Sequence, residues 1–293
     1  MKAVILMSTF NGESFLDAQM KSILSQEGID ELFVYIRDDG STDNTINMIK
    51  SYQLQHKNIF LDEGSNIGPC ASFFQLLKYA KTLDAADIYL FSDQDDLWLP
   101  KKIEHSYAAL KKMDVPTLYS SSLNIVDKKL NALGTYQHRQ SKALFDPIFI
   151  NSVTGCSSAW NYEFLKLVQI PRDLSNILMH DWWLYLTAMY LGRFHYDQNS
   201  SILYRQHGGN VIGIQSFWRK LTMLIKSSGI GSMLRIKQFL IFATEYRKDL
   251  IKIDSFKFLN NSFNENETNL FKLSILTLRN ISGRALLSAL TFR

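Results

Sequence analysis

Three aspartates crowd into four positions of the stretch FSDQDDLWLP, residues 91–100: Asp93, Asp95 and Asp96. Asp93-x-Asp95 offers hard oxygen donors at a spacing that puts both side chains near one ion, and Mg2+ or Mn2+ takes one or two carboxylates plus diphosphate oxygens. Without an ion the three acids repel and raise one another's pKa. The alternative is a solvated loop in which Asp96 opens a helix starting near Trp98 and Pro100. A second acid stands in Met179-His180-Asp181-Trp182-Trp183 at the head of an apolar helix. There a carboxylate is either a cap or a general base. The flanking tryptophans favour the base, because aromatic faces exclude water and stack on sugars, and they make Trp182 the expected acceptor contact.

Two further clusters carry usable chemistry. In Asp38-Asp39-Gly40-Ser41-Thr42-Asp43 the glycine turns the backbone, Ser41 or Thr42 can cap the next helix and Asp43 suits its first turn. Asp38 and Asp39 are left over, and a carboxylate there can accept the N3 hydrogen of uracil or thymine. Tyr204-Arg205-Gln206-His207-Gly208-Gly209-Asn210 gathers a cation, an imidazole and a glycine pair, a grouping suited to diphosphate or metal. Competing motifs are missing: the EF-hand order of acids and glycine, a Walker loop, a G-x-S-x-G elbow and an H-E-x-x-H helix do not occur.

Such groups need a frame, and the first 130 residues supply one. Strand-like runs at 2–7, 32–37, 58–62 and 87–92 alternate with amphipathic segments at 13–26, 43–52 and 69–81. This alternation predicts a mostly parallel sheet with helices on both faces. In such sheets ligands gather beyond the carboxyl ends of the strands, where the polar clusters at 8–12, 38–41, 64–66 and 93–96 fall. From 117 to 213 the alternation loosens, with one clear helix from about Asp181 to Leu191.

Composition sets the outer bounds. The 293 residues are 46% hydrophobic and 20% charged, ordinary for a globular α/β protein. Two cysteines, Cys70 and Cys156, are too few for a disulfide framework, in keeping with a reduced cytoplasmic setting. The short apolar run at the start reads as a first strand, and no stretch approaches the ~20 apolar residues of a membrane span. Charge is uneven: residues 1–213 hold 19 Lys and Arg against 23 Asp and Glu, and residues 214–293 hold 13 against 5. In that tail FWRKLTMLIK (217–226) and the segment 270–290 read as basic amphipathic helices, a form that fits an anionic membrane surface or helices that close the core. No nucleic-acid partner is expected.

Six blocks together, STFNGESFLDAQMKSILSQ, RDDGSTDNT, FSDQDDLWLPKKI, VTGCSSAWN, MHDWWL and YRQHGGNVIG, resemble family 2 glycosyltransferases, most nearly the bacterial rhamnosyltransferase-like enzymes of cell-wall and capsular polysaccharide synthesis. The resemblance covers about residues 2–213. It implies a GT-A fold, a Rossmann-like α/β sandwich, as a catalytic domain over 1–213 with a helical extension over 214–293. It further implies a nucleotide pocket from Thr9, Asn11, Glu13 and Asp39, and donor contacts from Asp93. By the same resemblance Asp95 and His207 hold Mg2+ or Mn2+, and Asp181 is the catalytic base. The implied reaction is inverting transfer of a sugar, foremost L-rhamnose from dTDP-rhamnose, to a lipid-linked or oligosaccharide acceptor at the inner face of the plasma membrane. A UDP-hexose donor is the alternative within the fold. Gly155-Cys156-Ser157-Ser158-Ala159 is smaller and more polar than the family pattern. A sugar nucleotidyltransferase would need a basic glycine-rich loop after the first strand, and STFNGES has one glycine and no Lys or Arg. A carbohydrate-binding protein would explain the tryptophans but not the set of Asp39, Asp93, Asp95 and Asp181.

Overall fold

The structure is a computed structural model that describes residues 1–207 and 230–254. Along the chain run β1 (Lys2–Thr9), α1 (Leu16–Leu24), β2 (Glu31–Asp38), α2 (Thr45–Gln55), β3 (Ile59–Glu63), α3 (Pro69–Ala80) and β4 (Ile88–Ser92). There follow β5 (Leu97–Trp98), α4 (Lys102–Leu110), β6 (Thr117–Ser121), β7 (Leu123–Asp127), β8 (Ala132–Tyr136) and α5 (Asp146–Phe149). The described part closes with β9 (Ala159–Trp160), α6 (Tyr162–Leu167), α7 (His180–Leu191), β10 (Arg193–Asp197), β11 (Ile202–Gln206), α8 (Ile230–Glu245) and α9 (Arg247–Leu250).

A seven-stranded sheet has the order β10-β6-β9-β4-β1-β2-β3. β1, β2, β3 and β4 pair in parallel, and only the two-residue β9 runs antiparallel, between β4 and β6. A parallel sheet covered on both faces wants strands apolar throughout, and all five residues of β4 are buried. β1 divides its side chains by parity: Ala3, Ile5 and Met7 face the core shared with α1, α2 and α4, while Val4 and Leu6 face α3, α7 and α8. A second sheet, β5-β11-β7-β8, lies beside the first.

The expected elements of the first half are present with shifted ends. α1 starts at Leu16 rather than at 13, because Phe15 N–H and Leu16 N–H both donate to Gly12 O and form a turn first. The expected helix near Trp98 is corrected. Leu97 and Trp98 pair antiparallel with Leu203 and Ile202, and Leu99 N–H donates to Ser201 O. Pro100 then ends the pairing, lacking a donor, and α4 begins at Lys102. Asp96 is therefore no helix cap.

The basic segments 217–226 and most of 214–293 lie outside the described residues. Within that region α8 packs on α5, and α9 packs on α7 and α8, and Phe239, Phe242, Tyr246 and Leu250 join the same core as Phe73, Phe91 and Trp183. Among the described residues no helix is long and apolar enough to cross a membrane.

Candidate active site

The loops after β1 and β2 are laced together. Asn11 N–H donates to Ser41 Oγ (2.8 Å), Gly12 N–H to Thr45 Oγ1 (2.7 Å) and Glu13 N–H to Asp43 Oδ2 (3.1 Å). In return Asn11 Oδ1 accepts from Thr42 N–H (2.8 Å) and Glu13 Oε2 from Asn44 N–H (2.9 Å). Asn11 adopts a φ of 49°, a left-handed conformation that asparagine tolerates better than most residues. Thr9 Oγ1 donates to Asp38 Oδ2 at 2.8 Å. Thr9, Asn11 and Glu13, expected as nucleotide contacts, thus build the wall between the two loops. The backbone N–H groups of Phe10, Asn11, Gly12 and Glu13 are all engaged within the protein, which leaves none of them open as a phosphate cradle of the nucleotidyltransferase kind.

Asp38 and Asp39 divide their work. Asp38 accepts from Gly40 N–H, Ser41 N–H, Ser41 Oγ and Thr9 Oγ1, which makes it the brace of the turn. Asp39 accepts from Arg37 Nη1 (2.5 Å), Ile67 N–H and Gly68 N–H (2.9 Å each). A carboxylate has about four acceptor positions, so one remains for a ligand donor. Arg37, itself buried, also donates to Ser72 Oγ and Ser65 O. Gly64 gives it room: a Cβ there would lie 2.3 Å from Arg37 Nη2. At the mouth of these loops Phe10 is 44% exposed, and its backbone is clasped by Gln94, which accepts Phe10 N–H at 2.8 Å and donates to Phe10 O at 2.9 Å.

The aspartate-rich loop after β4 makes three different uses of its acids. Asp95 Oδ2 and His207 Nε2 are 2.7 Å apart. Arg205 of β11 donates from Nε to Asp95 O (2.7 Å), and its guanidinium lies 4.8 Å from the Phe15 ring centroid. Asp96 is fully buried and accepts Arg205 N–H at 3.1 Å. Burial, then the Asp95 charge, pushes its carboxyl up to about 7. Asp93, partly buried, is raised well above the usual range by burial and then by Asp96, Asp95 and Asp181. Asp93, Asp96 and Cys156 have ligand atoms within 4.8 Å of one another.

Asp181 sits in the first turn of α7 and is 7% exposed. Its Oδ1 accepts from Asn151 Nδ2 and its Oδ2 from Gly155 N–H, each at 3.1 Å. Burial pushes it up to about 6 against the pull of these donors. Gly155 must be glycine for this contact, since a Cβ would meet His180 Nε2 at 2.8 Å. Asp181 is near enough to Asp93 to perturb it, so the topology brings both predicted acids to one place. Trp182, expected as the acceptor contact, is 9% exposed, donates from Nε1 to Pro147 O (2.8 Å) and lies under Arg235 at 5.8 Å. Cavities of about 370 Å3 beside Tyr185 and Phe194, and beside Leu99 and Ser201, include none of these carboxylates.

Asn151, Gly155, Arg37, Gln94 and Phe10 were not picked out as site residues by sequence reasoning. Gln94 had a local signal as the middle of D-x-D; Asn151, 30 residues from its partner, had none. The donor set suits a hard divalent ion: Asp95 and His207 already converge on one point, Asp93 stands two residues away, and Mn2+ and Mg2+ favour oxygen with Mn2+ tolerating imidazole.

Known proteins share this fold. The model of the glycosyl transferase family 2 matches residues 4–164. A dTDP-rhamnosyl transferase, RfbG of Shigella flexneri, is 32% identical over 225 residues, covering 71% of this chain and 73% of that protein. The crystal structure of S. aureus TarS 1–349 with UDP-GlcNAc superposes with a TM-score of 0.55 at 14% identity, over 86% of this chain and 79% of the other. GalNAc-T7 with UDP, GalNAc and Mn2+ gives a TM-score of 0.54 at 10% identity, over 71% of this chain and 44% of the other. These two likenesses concern the fold, which is GT-A. With more than half its length matched by the family model and its carboxylates converging at the carboxyl edge of the sheet, this chain belongs to the family 2 glycosyltransferases.

Proposed function

We propose that the protein is an inverting transferase that moves L-rhamnose from dTDP-rhamnose to a saccharide acceptor, with Asp181 as general base. The observation that carries the base is the carboxylate itself, buried, raised to about 6 and aimed by Asn151 and Gly155 beside the aspartate-rich loop. Its proton affinity is high enough to take a hydroxyl proton and low enough to be ionised near neutrality. Asp181 removes the proton of the acceptor hydroxyl as that oxygen attacks the anomeric carbon from the face opposite the diphosphate. One carboxylate suffices, since the leaving group departs as an anion and needs no proton. The similarity to a dTDP-rhamnosyl transferase supports the sugar and the nucleotide.

Asp39, with one acceptor position left, takes the N3 hydrogen of thymine or uracil, and the exposed ring of Phe10 offers the base a stacking face. Thr9, Asn11 and Glu13 shape that pocket through the laced loops. Asp93 faces the ribose and diphosphate, while Asp95 and His207 hold Mg2+ or Mn2+. The ion supplies Lewis-acid stabilisation of the departing diphosphate. The excess of Lys and Arg over residues 214–293 supports docking on an anionic membrane where a lipid-linked acceptor is met.

The test is a donor screen with the full chain, measuring nucleoside diphosphate released from dTDP-rhamnose, UDP-glucose, UDP-galactose and UDP-GlcNAc with lipid-linked oligosaccharides, with and without Mn2+. Release from dTDP-rhamnose alone, abolished by EDTA, is expected. Preferential release from a UDP-hexose would overturn the sugar, and full activity in EDTA would overturn the metal.

A further inference from the structure

The residue before the proposed base is a histidine with no hydrogen bond. His180 opens α7 and is 3% exposed, and neither of its ring nitrogens has a partner among the described residues. Burial pushes the imidazole down to about 3, so the ring stays neutral and adds no charge beside Asp181. A buried polar ring with both nitrogens unpaired is costly, and such a group calls for an explanation. Successive side chains of a helix diverge by about 100°. Asp181 accordingly turns to the segment 151–155, while His180 turns into the core.

The contacts of the ring are with flat faces and with backbone. It stacks on Phe73 of α3 with centroids 4.0 Å apart and planes 26° from parallel, and it meets Phe91 of β4 edge to face at 4.9 Å. These two rings fix its plane. Its Nε2 edge faces Gly155, where a Cβ would approach to 2.8 Å. Gly155 is held on its other sides as well: its carbonyl accepts from Ser158 N–H (2.9 Å) and Ser158 Oγ (2.6 Å), and its N–H donates to Asp181 Oδ2 (3.1 Å). A leucine would fill the volume without a flat face for Phe73, and the longer ring of phenylalanine would press on Gly155. Imidazole is flat enough for the one and short enough for the other. Phe91 stands two residues before Asp93, so the same ring also touches the strand that delivers the aspartate-rich loop.

We propose that His180 is a positioning residue for Asp181: its imidazole, stacked on Phe73 and set against Phe91, backs the Gly155 backbone and so places the N–H that Asp181 Oδ2 accepts. His180 moves no proton and touches no substrate. Gly155 is the matching half of the device, bare on the side where the ring stands. This inference rests on Asp181 as the base.

A double-mutant cycle in the full chain tests it, with the donor that the screen above selects and lipid-linked oligosaccharides. His180→Ala removes the ring that backs Gly155, Gly155→Ala pushes a methyl group against it, and the double variant puts the methyl group where the ring has been removed. Each single substitution should lower kcat about tenfold, the scale of one hydrogen bond to a charged group, and leave donor KM unchanged. Each should also move the acid limb of kcat/KM upward, because the lost N–H favoured the anion of Asp181. In the double variant the two losses should not add, as expected for contacting residues. His180→Leu, which keeps the core filled, should show the same upward limb, a readout that a loss of packing alone would not move. Additive losses, or a wild-type acid limb and kcat in His180→Leu or Gly155→Ala proteins that still bind the donor nucleotide, would overturn the proposal. If Asp181→Asn keeps near wild-type kcat, the base assignment itself has failed, independently of the cycle.

Discussion

Asp181 is held by opposing influences. Burial keeps it protonated more readily than a free carboxyl, while Asn151 and the Gly155 N–H pull it back toward the anion. Its folded value, about 6, lies above the ordinary 3.8, so the folded protein binds this proton more tightly and its stability contribution falls as pH rises between the two values. As a base it works only above that window. The acid limb of kcat/KM for free enzyme should therefore fall near pH 6; a limb near 4 would separate Asp181 from the base. Asp181→Asn should cost ~10²- to 10⁴-fold in kcat with donor affinity retained. Asn151→Leu removes a donor that favours the anion, so the acid limb should move upward, which a pH–rate profile reads directly.

The helix α7 that carries this base is gripped from behind. Gln238 of α8 accepts Leu178 N–H at 2.7 Å, and Tyr246 OH accepts Gln169 N–H at 2.6 Å. Phe242 stands 5.3 Å from the ring of Trp183. Phe242→Ala should destabilise the protein by about 3–5 kcal/mol, the range for a buried aromatic, as seen in denaturant unfolding. For the same reason the unit we propose to be catalytic extends through α8 and α9, past the boundary expected at 213. The alternation of β1 to β4 with three helices was legible because strands buried on both faces and amphipathic helices leave strong periodic signals. β5 and β9 were not legible: two residues carry no period, and their pairing depends on partners about 40 to 105 residues away in sequence. The acids of the site were legible as a set, whereas the roles of Asp96, Trp182 and Asn151 depend on burial and distant partners that spacing does not encode.

At the scale of the molecule, charge and fold point the same way. The acidic part of the chain brings Asp39, Asp93 and Asp95 to the loops after the strands, and the basic part lies beyond residue 213. Full-length protein should sediment with anionic vesicles at low ionic strength and be released at about 0.5 M salt, where the Debye length falls to a few ångströms. Equal sedimentation with neutral vesicles would remove the electrostatic basis of that docking. The central claim is direct displacement at the anomeric carbon with Asp181 as base. The measurement that bears on it most directly is the anomeric configuration of the product, determined by NMR after transfer from dTDP-rhamnose. Inversion relative to the donor is expected, and retention would contradict the mechanism.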